Sequence, residues 1–376
     1  MKIIFLCGCL EPGRDGVGDY CRKLASELIS NGDEVALLSY NDFFLQEIQD
    51  EKSEGGNTVD ILRLPSILNE NAKLNTAIHW VNRFGPEILS IQYVPYSFNK
   101  RGLPFGLAKQ FGKLANGRKV HIMFHEIWQG ESKESGIKDI IIGYLQKRIA
   151  MSIIAATEAR WISTTNDYYR DCALKAGAKN VFKIPVFSNM PFGDVEQTAV
   201  IDLLPKEIIE NRSDYILATF FGGLLFHQQI FESLIQLSSS VNKQTGKNLV
   251  ITHIGRSKGV DDQFQQIKLK TGIKTFVLGE FSEQEVADYL IHVDLGLTNY
   301  PKVLFEKSGS VAALLYNKCP VVFLKEGFEN DERKIAEIKE LKDLDDVVSF
   351  CTQPDGYNLK YGVEAACDLY KRMFKN

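Results

Sequence analysis

Two loops about 290 residues apart, each set between an apolar run and a helix-forming segment, constrain this chain more than any other feature. The first, Gly13-Arg14-Asp15-Gly16-Val17-Gly18-Asp19, follows directly on the apolar run Ile3 to Leu6. The second, Glu306-Lys307-Ser308-Gly309-Ser310, opens a helix of small residues that ends at Pro320-Val321-Val322. Loops of this kind mark the carboxyl ends of strands in an open parallel sheet, where ligands bind. One in each half predicts an α/β chain of two facing Rossmann-like domains, with a phosphate-bearing ligand in the cleft.

At 376 residues the chain is too long for one ordinary core and fits two α/β domains of roughly 150–200 residues each. Hydrophobic content of 44% and charged content of 24% are those of a soluble globular protein. A net charge of −4 gives no global pull toward nucleic acid, and no nucleic-acid partner is expected. The seven cysteines lack metal-ligand spacing and are expected to be reduced thiols in a cytoplasmic protein. The N-terminal apolar run stops after Cys9, short for a secretory core, and no other stretch is expected to span a membrane.

Along the chain, strand and helix alternate, which argues for parallel sheets. After Ile3–Leu6 come Tyr20, Leu24 and Leu28 at helical spacing, the stop signal Asn31-Gly32, and the strand Val35–Leu38. Further strands are predicted near Ile61–Leu64, Ile88–Gln92, His121–Phe124, Ile162–Thr165 and Val181–Ile184. The pattern breaks around Phe187-Ser188-Asn189-Met190-Pro191, and a second series begins at Tyr215. The expected organisation is a first domain over 1–190, a second over 191–356, and a C-terminal helix over 357–376 that packs back toward the first domain.

The first loop lets backbone amides approach a ligand, yet its glycines at 13, 16 and 18 match neither G-x-G-x-x-G nor a P-loop. It reads equally as a tight strand-to-helix turn. The Ser308-Gly309-Ser310 loop is more specific, because the first-turn amides of the helix it opens are unpaired and carry the positive end of its dipole. With the Ser308 and Ser310 hydroxyls and the charge of Lys307, it reads as a diphosphate cradle, or more simply as a serine N-cap. His125 and Glu126 follow the apolar run Ile122-Met123-Phe124, so His125 stands at a strand exit, where it can donate to a phosphate or a sugar hydroxyl.

With these residues in place, the chain resembles a GT-B glycosyltransferase, and in particular the retaining, family-4-like enzymes that use nucleotide sugars. GVGDYCRKLASELISNGDEVALLS is similar to the opening loop, helix and second strand of that family. ISTTNDYYRDCALKAGAKNVFKIPVFSNMP resembles its crossover, FVLGEFSEQEVADYLIHVDLGL the segment before the donor loop, and SGSVAALLYNKCPVVF the donor-loop helix and following strand. IQYVPYSF and MFHEIW also look familiar from this group. The resemblance implies transfer of a glycosyl group from a nucleotide diphosphate sugar to an acceptor hydroxyl, with retention and without a metal or further cofactor. A UDP-sugar is the expected co-substrate, and the setting is cell-surface glycan, polysaccharide or glycolipid synthesis. It places His125 and Glu306 at the donor sugar as catalytic groups. Gly16 and Gly18, and the Gly309 and Ser310 amides, fall near the diphosphate, and Val277, Leu278 and Gly279 at the base.

Two features depart from the family pattern. An Arg and a Lys commonly follow the first strand of the second domain, whereas Phe221 to Gln229 contains neither. A second acidic residue in the donor loop is replaced by Ala313 and Leu314. Arg256, Lys258 and Lys307 are the candidates to replace the missing charge. The basic residues Lys100, Arg101, Lys109, Lys113, Arg118 and Lys119, interleaved with apolar ones over 99–119, read either as a peripheral contact with the inner membrane face, beside a glycan or lipid-linked acceptor, or as a solvated surface. The competing functional readings are a sugar-nucleotide epimerase and a non-catalytic homologue acting as a binding or partner subunit.

Overall fold

The computed structural model describes residues 1–53, 59–131, 135–224, 229–324, 335–344, 346–351 and 358–375. Leu225 to Gln228, within the stretch that lacks the expected Arg and Lys, and Tyr357, the first residue of the expected C-terminal helix, lie outside the described residues. The chain forms two compact units: Met1–Val186 with Val363–Asn376, and Phe187–Gly362. The change of unit at Val186 falls four residues before the expected break after residue 190, and the C-terminal helix begins at Val363 rather than 357.

The first unit contains β1 (Lys2–Cys7), β2 (Glu34–Asp42), β3 (Gln49–Ser53), β4 (Val59–Pro65), β5 (Ile88–Tyr93), β6 (Lys119–Phe124), β7 (Trp161–Thr164) and β8 (Val181–Lys183). They form one sheet in the order β3-β4-β2-β1-β5-β6-β7-β8, parallel throughout except for β3, which runs antiparallel to β4 at the edge. The apolar runs that announced strands are buried on both faces, as a sheet covered by helices on both sides requires. β3, with the sequence QDEKS, was missed: an edge strand with one neighbour needs no apolar alternation. The helix Glu70–Phe84 ties to it, Trp80 Nε1 and Arg83 both donating to Asp50. The C-terminal helix Val363–Lys375 closes the same core, its Tyr370 ring edge-on to Phe5 and His121, and Phe374 against Trp161.

One helix bears on the expectation that no stretch spans a membrane. The helix Ile137–Thr157, 21 residues long, is apolar enough by length and composition to cross a membrane. Its apolar residues run round the whole circumference, so no helical period announced it. In the fold it packs as a layer of the first unit. Gly143 sits hard against the Gln129 carbonyl, and Gly112 of the helix Leu107–Ala115 against the Ala156 carbonyl. Its outer turns leave Ile137, Ile140, Ile141 and Tyr144 exposed.

The second unit holds β9 (Tyr215–Phe221), β10 (Asn248–Ile254), β11 (Lys274–Gly279), β12 (Leu295–Thr298), β13 (Val321–Phe323) and β14 (Ile338–Glu340). They form a parallel sheet in the order β11-β10-β9-β12-β13-β14. Alternate residues of β9 serve two apolar clusters: Ile216, Ala218 and Phe220 on one face, Tyr215 and Leu217 on the other. Strand order reverses between β1 and β5 in the first sheet and between β9 and β12 in the second. These two points are where ligand crevices are expected.

Candidate functional site

At the switch point of the second sheet lies a recess lined by Phe220, Phe221 and Gly223 at the end of β9, Leu297 to Tyr300 at the end of β12, and Ser308, Ser310, Val311 and Leu314 of the helix Gly309–Tyr316 and its N-cap. Four amides at that helix N-terminus need partners outside the helix. Ser308 N–H donates to the Phe305 carbonyl at 3.0 Å, and Val311 N–H to Ser308 Oγ at 3.3 Å. The serine is therefore an N-cap, the simpler of the two readings of its side chain. The remaining amides, those of Gly309 and Ser310, have no partner among the described residues. An added Cβ at Gly309 would meet only Asn189 Nδ2 at 3.9 Å, so the approach to these amides is open.

Two side chains not singled out from the sequence complete this corner. Asn299, only 5% exposed, lines the recess, and its Nδ2 has no hydrogen-bond partner among the described residues. Asn189, beside Gly309, leaves its Oδ1 equally unpartnered. A buried amide group without a partner costs about 1–3 kcal/mol, a cost that a polar ligand in the recess removes. Gly222, with φ +76°, brings the loop after β9 so close to the helix that a Cβ there would lie 2.9 Å from Ser310 Oγ. Backbone therefore forms one wall and a helix terminus the other.

The remaining residues expected at the donor scatter around this recess. Lys307 holds its ammonium 5.9 Å from the ring centroid of Tyr300, a lining residue. Glu306 is half-buried in the 3₁₀ turn Lys302–Lys307, two residues ahead of the cap. Val277, Leu278 and Gly279 end β11, the edge strand two places from β9, at roughly 10 Å by ordinary strand spacing. Arg256 is exposed, its guanidinium held by Glu280 with contacts of 2.6–3.0 Å, and it is not among the residues that line the recess.

The loop after β1 has the geometry of the tight strand-to-helix turn, one of its two readings. Gly18 is buried, and a Cβ there would lie 2.6 Å from the Cys9 carbonyl, so close helix-to-strand packing requires this glycine. Asp15 caps the helix Gly16–Ser30, accepting from Gly18 N–H at 2.7 Å, and Asp19 takes the Gly13 amide at 3.0 Å. A carboxylate already occupies the place where a phosphate would bind. Gly16 remains exposed with open space around it.

His125 lies just past β6 and is 6% exposed. Burial pushes its pKa down to about 3, so the ring is neutral at physiological pH. Nε2 is 2.8 Å from Gln92 Oε1, and the Tyr20 ring stands edge-on at 4.9 Å. Gln92 lies in IQYVPYSF, but its role came from strand register, which pairs Gln92 with Met123 and so sets β5 beside the exit of β6. Among the described residues no group of three His, Cys, Asp or Glu is arranged to hold a metal ion. All seven cysteines are free thiols.

No protein-family description and no curated protein sequence matches the chain. Solved structures do. HepE of Anabaena in complex with UDP and glucose aligns over 100% of both chains, with a TM-score of 0.60 and 13% identity. The same protein with UDP-glucose gives 0.61 and 11%. The UDP-forming α,α-trehalose-phosphate synthase of Burkholderia vietnamiensis aligns over 100% of this chain and 98% of its own, with a TM-score of 0.59 and 10% identity. With its two predominantly parallel sheets and full-length alignment to these structures, the chain has the GT-B fold.

Proposed function

We propose that the protein is a retaining glycosyltransferase that moves a hexosyl group from a UDP-sugar to an acceptor hydroxyl, in the synthesis of a cell-surface glycan, polysaccharide or glycolipid at the cytoplasmic side of the membrane. The observation that carries this reading is the pair of unpartnered amides at Gly309 and Ser310, set in a recess with the unpartnered Asn299 at the sheet's switch point. Solved structures of the same fold that carry UDP or UDP-glucose support the choice of uridine. In the reaction the bond from the anomeric carbon to the diphosphate oxygen breaks, and one to the acceptor oxygen forms on the same face. The acceptor proton passes to the leaving diphosphate. Two N–H donors and the positive end of a helix dipole meet the charge that develops there, and they need not reorganise as it grows. Glu306 and His125 are assigned to the transferred sugar, and Val277 to Gly279 to the base. No metal or further cofactor enters this scheme.

A calorimetric titration with UDP, GDP, ADP, CDP and TDP tests the reading. UDP is expected to bind at least tenfold more tightly than the others, about 1.4 kcal/mol. Binding of none of them would remove the enzyme reading and leave a non-catalytic homologue, which the engagement of Arg256 by Glu280 would then explain.

For the membrane contact, the fold alters the expected surface. Leu107, Phe111 and Leu114 are buried, leaving Lys100, Arg101, Phe105, Lys109, Lys113 and Lys119 of the basic segment exposed. The loop at Gly102 packs on Gln146 of the helix Ile137–Thr157, whose exposed Ile137, Ile140, Ile141 and Tyr144 fall at helical spacing on one stripe. We assign the membrane contact to this stripe together with the lysines. Co-sedimentation with vesicles containing anionic lipid is expected to weaken about 30-fold in Lys109→Ala/Lys113→Ala, at about 1 kcal/mol per lysine, and also in Ile140→Glu/Ile141→Glu. Sedimentation indifferent to anionic lipid would sink the assignment.

A further inference from the structure

Beneath the helices Gly16–Ser30 and Val363–Lys375, one face of the first sheet carries polar residues on three neighbouring strands: Ser90 and Gln92 on β5, His121 and Met123 on β6, Ser163 on β7, with His125 just beyond β6. Ser90, Gln92, His121 and Ser163 are fully buried. None of the atoms in the chain they form is left unsatisfied. The contacts are short: Ser163 Oγ to Met123 Sδ 2.9 Å, His121 Nε2 to Ser163 Oγ 2.7 Å, Ser90 Oγ to His121 Nδ1 2.8 Å, Gln92 Nε2 to Ser90 Oγ 2.7 Å, and His125 Nε2 to Gln92 Oε1 2.8 Å.

The donors and acceptors permit one consistent direction. A thioether only accepts, so the Ser163 hydroxyl proton points at Met123. Ser163 Oγ must then accept from His121, which puts that ring's proton on Nε2 and leaves its Nδ1 bare. The bare Nδ1 accepts the single proton of Ser90. With that proton committed, the contact between Ser90 and Gln92 is an amide N–H donating, and the Tyr370 hydroxyl lies against the same Gln92. The Gln92 carbonyl oxygen therefore faces His125. A carbonyl oxygen only accepts, so His125 carries its proton on Nε2.

We propose that Gln92, Ser90, His121 and Ser163 are positioning residues that hold His125 as a single tautomer, with Nε2 protonated and Nδ1 bare, and so make it an acceptor for a ligand hydroxyl. This deepens the role given above to His125 and rests on it. It also reverses the expectation that this histidine donates to a phosphate or a sugar hydroxyl. The ring supplies a lone pair to a sugar O–H and offers nothing to an anion. The tautomer of a histidine is set by the bond its other nitrogen makes, and here that bond is fixed by a chain of four side chains.

The test is ¹⁵N NMR of the imidazoles in the ligand-free protein. His125 is expected to show one tautomer, protonated at Nε2, without titrating between about pH 5 and pH 8. In Gln92→Met the Nε2 proton loses its acceptor, and both tautomers are expected in comparable amounts. Ser90→Ala should have a smaller effect, and Ser90→Thr, which restores the hydroxyl, should recover the single tautomer. A mixed or Nδ1-protonated His125 in the parent protein would overturn the proposal, whether or not the variants fold. So would a tautomer unchanged in Gln92→Met. Transfer is read separately. With UDP binding unaltered, kcat should fall about tenfold in Gln92→Met, the worth of one hydrogen bond to the sugar. A changed tautomer with unchanged kcat upholds the relay and removes His125 from the reaction.

Discussion

Gly309→Asp is expected to weaken UDP binding by about 100-fold while leaving the unfolding midpoint unchanged or slightly raised. The two halves of that result come from the same physics with opposite signs. A carboxylate at the first helical position stands in the field of the N-terminal amides, and by itself this stabilises the helix by about 0.3–1 kcal/mol. The structure has room for it, since the nearest atom to an added Cβ is the amide nitrogen of Asn189 at 3.9 Å. The backbone adapts without strain, because Gly309 does not use the left-handed region. A diphosphate seated on the Gly309 and Ser310 amides would meet this carboxylate at about 5 Å. At an effective dielectric near 20, repulsion between two unit charges is then about 3 kcal/mol. Gly309→Ala separates charge from bulk, because it fills the same space without the carboxylate and should cost tenfold or less. If UDP binds Gly309→Asp as tightly as the parent, the helix terminus is not the diphosphate site.

The sequence carried the fold where burial on both faces of a sheet demands unbroken apolar runs, as in Ile3–Leu6 and Tyr215–Phe221. It was silent where that demand lapses. The edge strand Gln49–Ser53 is polar, Ile338–Glu340 is three residues long, and Ile137–Thr157 is apolar all round and so lacks a period. The site follows the same division. Ser308 to Ser310 could be read from the chain because a helix start is a local event, with cap, amides and dipole all set within four residues. Asn299 and Gln92 could not, because their neighbours are assembled by strand order and register across more than 30 residues. Local chemistry also leaves out what long-range neighbours add: Gly18 packs against the Cys9 carbonyl, and Arg256 is paired with Glu280.

Acidification from about pH 7 to about pH 4.5 is expected to remove roughly 5 kcal/mol from the stability of the first unit, through His121 and His125. Burial lowers both to about 3, His121 with a further push from His125. Unfolded, each returns to about 6.5 and takes up a proton that the folded state refuses. A histidine lowered in the fold contributes stability that is fully present above the unfolded value. That contribution is lost as the pH falls from 6.5 toward 3, at about 1.4 kcal/mol per pH unit for each ring. Burial raises Asp15, which takes up its proton in the fold above the ordinary carboxylate range and so offsets part of this loss as the pH falls. Asp42, pushed up by burial but held below its usual range by Arg63, loses its contribution only beneath that range. Across the window between about 6.5 and 4.5 the two histidines carry the loss. The measurement is urea denaturation followed by tryptophan fluorescence, which reports this unit alone because Trp80, Trp128 and Trp161 all lie in it. Calorimetric unfolding in buffers of different ionisation enthalpy counts the protons. Uptake on unfolding near pH 5 should approach two from these rings, and His121→Asn should remove one and lower the slope accordingly. An unfolding free energy that stays level from pH 7 to 4.5, without proton uptake, would mean that both rings are charged inside the fold. A charged His121 can no longer accept from Ser90, so the same result would break the hydrogen-bond chain that fixes His125.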